Sequence, residues 1–89
     1  MKIVFDQTKN STNLAKHGVP LSLALMIEWD TLLAKQDERK EYGEKRMIGY
    51  ALVDDRLYCV VFTDRDNERR IISLRKANQR EVKYYVSQN

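Results

Sequence analysis

The chain has 89 residues, of which 43% are hydrophobic and 33% charged, and its net charge is +3. This length predicts one small domain over residues 1–89, and the composition favours a folded chain over a disordered one. One cysteine, Cys59, excludes an intramolecular disulfide and a cysteine-based metal cluster within the chain. The apolar start Ile3–Phe5 is too short for a secretory signal or a membrane span, so we expect a cytoplasmic protein.

The whole excess of positive over negative charge lies in the second half of the chain. Residues 1–45 hold seven Lys and Arg against seven Asp and Glu, while residues 46–89 hold nine against six. A basic excess favours polyanionic partners in general and does not identify one.

The first half of the chain predicts two helices after a short strand. Residues 2–5 are β-prone, and Asp6 or Thr8 can cap a helix that ends at Gly18. Residues 21–29, LSLALMIEW, are apolar on nearly every side and predict a buried second helix.

The second half predicts a sheet followed by a helix. After the polar run 36–45, apolar residues recur with period two over 46–54, 57–63 and 69–75, which predicts three antiparallel strands in a meander. Residues 31–35 predict a further strand beside them. Asn78 followed by Glu81 has the spacing of a capping box, so a C-terminal helix should begin there.

Two adjacent cations, Arg75 and Lys76, end the last strand next to this helix. The free N–H groups of a helix N-terminus favour anions, so the pair predicts a phosphate-sized site. The alternative is that both cations are solvated or paired with a surface carboxylate. Strand alternation is expected to place Ser73 and Arg75 on one face and Ile72 and Leu74 on the other.

Three further positions have both a chemical and a structural interpretation. His17 is the only histidine and the only side chain whose ordinary pKa suits proton transfer near neutral pH, but a cation in the last turn also suits a helix dipole. Glu44 and Arg46 either form a positioned carboxylate with its ion-pair partner or are ordinary charged residues of the loop. Arg65 lies in a turn, where a solvated arginine is the default.

Short motifs occur in a fixed order along nearly the whole chain: Phe5-Asp6, Lys9, Asn13, Lys16-His17-Gly18-Val19, Glu44, Arg46, Gly49, Thr63, Arg65, Arg70-Ile71-Ile72-Ser73, Arg75-Lys76-Ala77, Arg80-Glu81 and Tyr84. In this order they resemble the BrnT family, the toxin half of bacterial type II toxin–antitoxin systems. The chain departs from that family at Phe5, where Trp is usual, and at Pro20-Leu21, where Ser-Phe is common. The polar run 36–45, which contains Glu44, is the least family-like part.

The resemblance implies a RelE-like α+β fold with two N-terminal helices, an antiparallel sheet meander and a C-terminal helix. It implies endoribonuclease activity that slows translation and growth. It also implies a cognate BrnA-like antitoxin with a ribbon-helix-helix domain, through which the chain reaches DNA indirectly. No membrane partner is implied, and a dimer or heterotetramer fits the complex. We expect the antitoxin to cover the basic face of the toxin.

Metal-independent RNA cleavage needs a base, an acid and cations around the phosphate, and this sequence contains such groups without an obvious metal-ligand cluster or cofactor motif. His17 or Glu44 is suited to proton transfer. We expect Lys16, His17, Arg65, Arg75 and Lys76 to converge on one face of the sheet. The candidate catalytic residues are Lys16, His17, Glu44, Arg65 and Arg75, and the candidate phosphate-binding residues are Arg46, Arg70 and Lys76.

Two other functions fit the same residues. The chain is then either a binding module whose basic face docks an acidic partner or nucleic acid, or a degenerate toxin that keeps only its antitoxin interface. Phosphate contacts and an acidic protein partner both give salt-dependent binding, so turnover, and not salt dependence, separates an enzyme from a binding module.

Overall fold

The computed structural model describes residues 1–88. No helix within that range is long and apolar enough to cross a membrane. In chain order the elements are β1 (Lys2–Val4), α1 (Gln7–His17), a 3-10 helix (Leu21–Met26), β2 (Glu28–Gln36), β3 (Met47–Val53), β4 (Arg56–Arg65), β5 (Glu68–Lys76) and α2 (Gln79–Ser87).

The strands form one five-stranded sheet in the order β1-β5-β4-β3-β2. The predicted meander is confirmed as β3, β4 and β5, and the predicted strand at residues 31–35 lies within β2, which pairs antiparallel with β3. β1 pairs with β5 in parallel, so the sheet is mixed and the expectation of a purely antiparallel sheet is wrong at that edge.

The predicted second N-terminal helix is wrong. Its first six residues form the 3-10 helix, and Glu28 already begins β2. A 3-10 helix brings residues three apart onto one side, and Leu21 and Ala24 are accordingly fully buried while Leu25 and Met26 are exposed. The segment therefore buries one side of a short turn and needs no second α-helix.

The hydrophobic core lies on one face of the sheet, under α1 and the 3-10 helix. Helix α1 begins and ends as predicted, because the Asp6 carboxylate accepts a hydrogen bond from the Lys9 N–H, and Gly18 adopts a left-handed conformation (φ 78°) at the C-terminus. The buried core residues are Val19, Leu21, Ala24, Ile27, Ala51, Tyr58, Val60, Phe62, Ile71 and Leu74.

A buried amide fastens α1 to β5. The Asn13 side chain donates hydrogen bonds to the carbonyls of Val19 (2.8 Å) and Leu74 (2.7 Å), and its oxygen accepts from the Leu74 N–H (3.3 Å). β1 pairs with β5 only as far as Arg70, so Asn13 takes the place of a neighbouring strand for this part of the edge. This anchor fixes the end of α1, where His17 lies, against the end of β5.

A bulge in β5 corrects the predicted strand faces. Ile71 and Ser73 pair with consecutive residues of β4, which leaves Ile72 without a partner. Ile71 and Leu74 therefore both face the core, and Ile72 lies with Arg75 on the opposite face. The expectation that Ile72 shares a face with Leu74 is wrong because strict alternation fails at the bulge.

Candidate active site

A cavity of about 260 Å³ opens on the sheet face opposite the core. Three parts of the chain enclose it: the end of α1, the β2–β3 loop, and the outward-facing residues of β3, β4 and β5. Its lining residues are His17, Asp37, Arg39, Tyr42, Arg46, Ile48, Cys59, Val61, Ile72, Ser73 and Arg75.

His17 reaches this cavity from the last turn of α1. Burial lowers its pKa below 6.5, and the positive charges of Lys16 and Arg75 lower the pKa further. The imidazole is therefore neutral at pH 7 and able to accept a proton. The cavity also holds Arg75, so the structure brings these two predicted site residues together.

Arg75 is held at the cavity by a carboxylate from α2. Two guanidinium nitrogens donate to the two oxygens of Glu81, each at 2.8 Å, and Glu81 also accepts from the Tyr50 hydroxyl at 3.1 Å. The hydrogen bonds from Arg75 are the main reason that the pKa of Glu81 falls to about 2. The predicted pairing of a strand-end cation with a carboxylate thus occurs at a cavity wall, where further N–H groups of the guanidinium remain for a ligand.

The two lysines of the predicted site do not line the cavity. Lys76 pairs with core-facing Tyr58 in the sheet, whereas Arg75 pairs with Cys59, so the two adjacent cations lie on opposite faces of β5. Lys16 is exposed on α1, where its charge acts on His17.

The predicted pair of Glu44 and Arg46 forms, with Arg46 Nε donating to the Glu44 carboxylate at 3.0 Å. The Arg46 guanidinium also lies over the Tyr42 ring, 4.3 Å from its centroid. Arg46 lines the cavity of His17, whereas Glu44 lines a second depression and not this cavity.

Arg65 and Arg70 lie in this second depression, which measures about 470 Å³. Arg65 is 88% exposed and is six residues beyond Cys59 on β4, which corresponds to about 20 Å of strand. The lining of this depression contains four acidic and three basic residues, a poor surface for phosphate. Of the five residues expected to converge on one site, the structure brings only His17 and Arg75 together in the cavity, where Arg46 joins them.

Three charged or aromatic residues of the cavity were not predicted from the sequence: Asp37, Arg39 and Tyr42. The Asp37 side chain is 1% exposed and accepts a two-nitrogen fork from Arg39 at 2.8 and 2.7 Å and a hydrogen bond from the Tyr42 hydroxyl at 3.1 Å. The hydrogen bonds from Arg39 hold the pKa of Asp37 far below its usual range despite burial. In the sequence these residues belong to an unpatterned run of charges, so no local signal marks them.

We expect acid to destabilise the protein through these depressed carboxyl pKa values. Asp37 and Glu81 bind protons more tightly in the unfolded chain, so their stabilisation is complete above about pH 5 and is lost as the pH falls toward 2. Asp37→Asn should lower the free energy of unfolding by about 1–3 kcal/mol at pH 7, and the variant should lose less of its remaining free energy of unfolding between pH 5 and 3 than the parent does. Urea unfolding followed by the fluorescence of Trp29, the only tryptophan, measures both. If Asp37→Asn kept the full acid sensitivity of the parent, the acid destabilisation would have to come from other groups. Asp30→Asn, a substitution at an exposed carboxylate, is the control.

Cys59 lies in the cavity but is 3% exposed, and burial raises the pKa of its thiol. It is therefore a poor nucleophile. Within residues 1–88, no three or more His, Cys, Asp and Glu side chains are grouped to hold a metal ion.

Comparison with known families gives one assignment for this chain. No curated protein sequence matches it. The profile described as "Ribonuclease toxin, BrnT, of type II toxin-antitoxin system" matches residues 5–81, which include the cavity residues from His17 to Arg75 and the carboxylate that holds Arg75. The chain therefore belongs to the BrnT family of ribonuclease toxins, the toxin components of type II toxin–antitoxin systems.

Proposed function

We propose that the chain is a metal-independent endoribonuclease whose active site is the cavity of His17, Arg46 and Arg75. The observation that carries this proposal is the presence of a neutral histidine and two carboxylate-held arginines in one cavity. A neutral imidazole is a base, and arginines with fixed orientation stabilise a phosphorane. Both parts are needed for attack by a ribose 2′-OH.

In the proposed reaction the ribose 2′-oxygen forms a bond to the adjacent phosphorus while the bond from phosphorus to the 5′-oxygen breaks. His17 accepts the 2′-OH proton, and the 5′-oxygen takes a proton from the imidazolium or from water. Arg75 and Arg46 bind the non-bridging oxygens, on which negative charge increases in the transition state. Lys16 acts through its charge by keeping His17 neutral. The products are a 2′,3′-cyclic phosphate and a free 5′-hydroxyl.

The test is incubation of the purified chain with single-stranded RNA in EDTA, followed by analysis of the product ends. Cleavage with cyclic phosphate ends supports the proposal. Binding without turnover, on free RNA and on ribosomes, would instead identify a binding module or a degenerate toxin.

We further propose that residues 1–89 act as one toxin domain in the cytoplasm, where RNA cleavage inhibits translation. The cognate antitoxin is a BrnA-like protein with a ribbon-helix-helix domain that covers the basic cavity. DNA is reached only through that antitoxin, in a dimer or heterotetramer. Loss of antitoxin binding in a chain with a substituted Arg75 would locate the covered surface.

The pH profile should report the charge environment of His17. Because burial, Lys16 and Arg75 lower its pKa, the acid limb of kcat/KM is expected to have its midpoint below pH 6.5. Lys16→Gln removes a positive charge near the imidazole, so the midpoint should move to higher pH. Lys9→Gln, a substitution of an exposed lysine two turns earlier on α1, should leave the midpoint unchanged. An acid limb unaffected by Lys16→Gln would show that another group titrates.

A further inference from the structure

The β2–β3 loop is a fixed part of the cavity wall. The Asp37 N–H donates to the Arg46 carbonyl at 2.7 Å and closes the loop at its base. Within the loop, the buried Asp37 carboxylate binds the side chains of Arg39 and Tyr42 and also accepts from the Arg39 N–H at 3.2 Å. A single buried charge therefore sets the positions of an arginine and an aromatic ring relative to the sheet.

The aromatic ring in this wall is flanked by cations. Tyr42 is half-buried, with the Arg46 guanidinium 4.3 Å and the Lys40 ammonium 5.6 Å from its ring centroid. Arginine planes and tyrosine rings are the surfaces on which proteins stack the splayed bases of single-stranded RNA. The Tyr42–Arg46 pair offers such a surface next to the proposed scissile phosphate position.

The floor of the cavity is apolar. Ile48, Val61 and Ile72 form it together with Cys59, and Ile72 is there only because the β5 bulge turns it out of the core. A phosphate gains nothing from an apolar floor, whereas the flat face of a nucleobase is favourably buried on one. The cavity thus combines arginines for an anion with an aromatic and apolar portion for a ring.

We propose that the Tyr42–Arg46 wall and the apolar floor form a subsite for one unstacked nucleobase of single-stranded RNA, next to the phosphate bound by Arg75. Arg39 lies at the rim with its side chain 65% exposed, and it contacts the backbone of the flanking nucleotide. Asp37 is a positioning residue that fixes this wall and does not touch the RNA. The subsite deepens the proposed function and rests on it.

Binding measurements test the subsite without requiring turnover. The probes are 2′-O-methyl oligoadenylate, oligouridylate and oligocytidylate, which cannot be cleaved through the 2′-oxygen, and matched oligonucleotides with one abasic position. We expect the parent to bind the intact oligonucleotides about 5- to 100-fold more tightly than the abasic ones, as a stacked base requires. Tyr42→Leu should bind the intact oligonucleotides about 5- to 100-fold more weakly than the parent does. It should no longer distinguish the intact oligonucleotides from the abasic ones.

Two variants separate stacking from structural damage. Tyr42→Phe keeps the ring and loses the hydroxyl bond to Asp37, so it should retain the preference for intact oligonucleotides. Tyr84→Leu is the same change at a tyrosine of α2 that packs edge-on against Tyr50 and does not line this cavity, so it should retain the preference for intact oligonucleotides. Thermal unfolding of each variant establishes that it is folded.

The outcomes distinguish this subsite from the catalytic proposal. Base-dependent binding that Tyr42→Leu abolishes supports the subsite even if the parent cleaves no RNA. Equal binding of intact and abasic oligonucleotides by the parent, unchanged binding by folded Tyr42→Leu, or no binding to any of them overturns it, including the case in which RNA is cleaved.

Discussion

Arg75→Ala is expected to lower kcat/KM for RNA cleavage by about 100- to 1000-fold, the usual effect of removing one preorganised electrostatic donor. The guanidinium of Arg75 is fixed by two 2.8 Å hydrogen bonds to Glu81 and faces the cavity that holds His17. No reorganisation is needed when charge develops on a phosphate there. The effect is measured from initial rates on a short RNA at a concentration well below KM. The slope of these rates against protein concentration gives kcat/KM.

The neighbouring residue supplies a matched control. Lys76→Ala removes a cation one position along the same strand but on the opposite face, so the rate should stay within about twofold, as expected for a surface change. Arg75→Lys keeps the charge and loses the planar fork, so its rate should fall between those of Arg75→Ala and the parent. Because Arg75→Ala removes the cationic partner of Glu81, Trp29 fluorescence should first establish that the variant is folded. Equal loss in Arg75→Ala and Lys76→Ala would contradict the assigned cavity.

The elements that the sequence predicts well are those with a local signal. Period-two alternation locates β3, β4 and β5, and cap residues such as Asp6 and Asn78 locate the starts of the α-helices. The 3-10 helix was missed because an apolar run gives no periodicity to separate a buried helix from a tight turn leading into a strand. The bulge at Ile72 was missed because pairing register depends on the partner strand, which no local window contains.

The candidate site shows the same division between local and tertiary information. His17 and Arg75 stand out from the sequence, but their meeting depends on Asn13, which fastens α1 to β5 across a long stretch of chain. Asp37 and Arg39 look like any other loop charges until the fold buries the carboxylate. A charge pattern cannot predict which loop carboxylate is buried, since that depends on the cover supplied by other elements.

Each arginine of the cavity is held by its own carboxylate: Arg39 by Asp37, Arg46 by Glu44 and Arg75 by Glu81. Such pairs add little stability when exposed, but they fix the orientation of a guanidinium. The cavity therefore has preorganised donors and a smaller net charge than three free arginines would give. This arrangement favours recognition of one correctly placed phosphate over general attraction to polyanions.

Asn13→Ala is expected to lower the free energy of unfolding by about 2–4 kcal/mol, because it leaves the N–H and C=O of Leu74 and the C=O of Val19 without their hydrogen-bond partner in a buried site. In a domain of this size that loss is a large part of the total stability and corresponds to a fall in Tm of about 10 °C or more. Urea unfolding followed by Trp29 fluorescence measures the first quantity and thermal unfolding the second.

Activity should fall further than stability alone explains, since Asn13 fixes the helix end that carries His17. Under conditions in which Asn13→Ala is fully folded, kcat should fall with little change in KM, as a displaced base would produce.

Asn13→Asp is the informative second variant. Its carboxylate can still accept from the Leu74 N–H but is repelled by the carbonyls of Leu74 and Val19, so this variant should be at least as unstable as Asn13→Ala. Asn10 lies one turn earlier on α1, and its side-chain oxygen accepts a hydrogen bond from the Ser22 N–H. Asn10→Ala removes this bond and should destabilise the protein by about 1 kcal/mol while leaving kcat unchanged. If folded Asn13→Ala kept the parent's kcat, the position of His17 would not depend on this anchor, and the link between the α1–β5 contact and catalysis would be wrong.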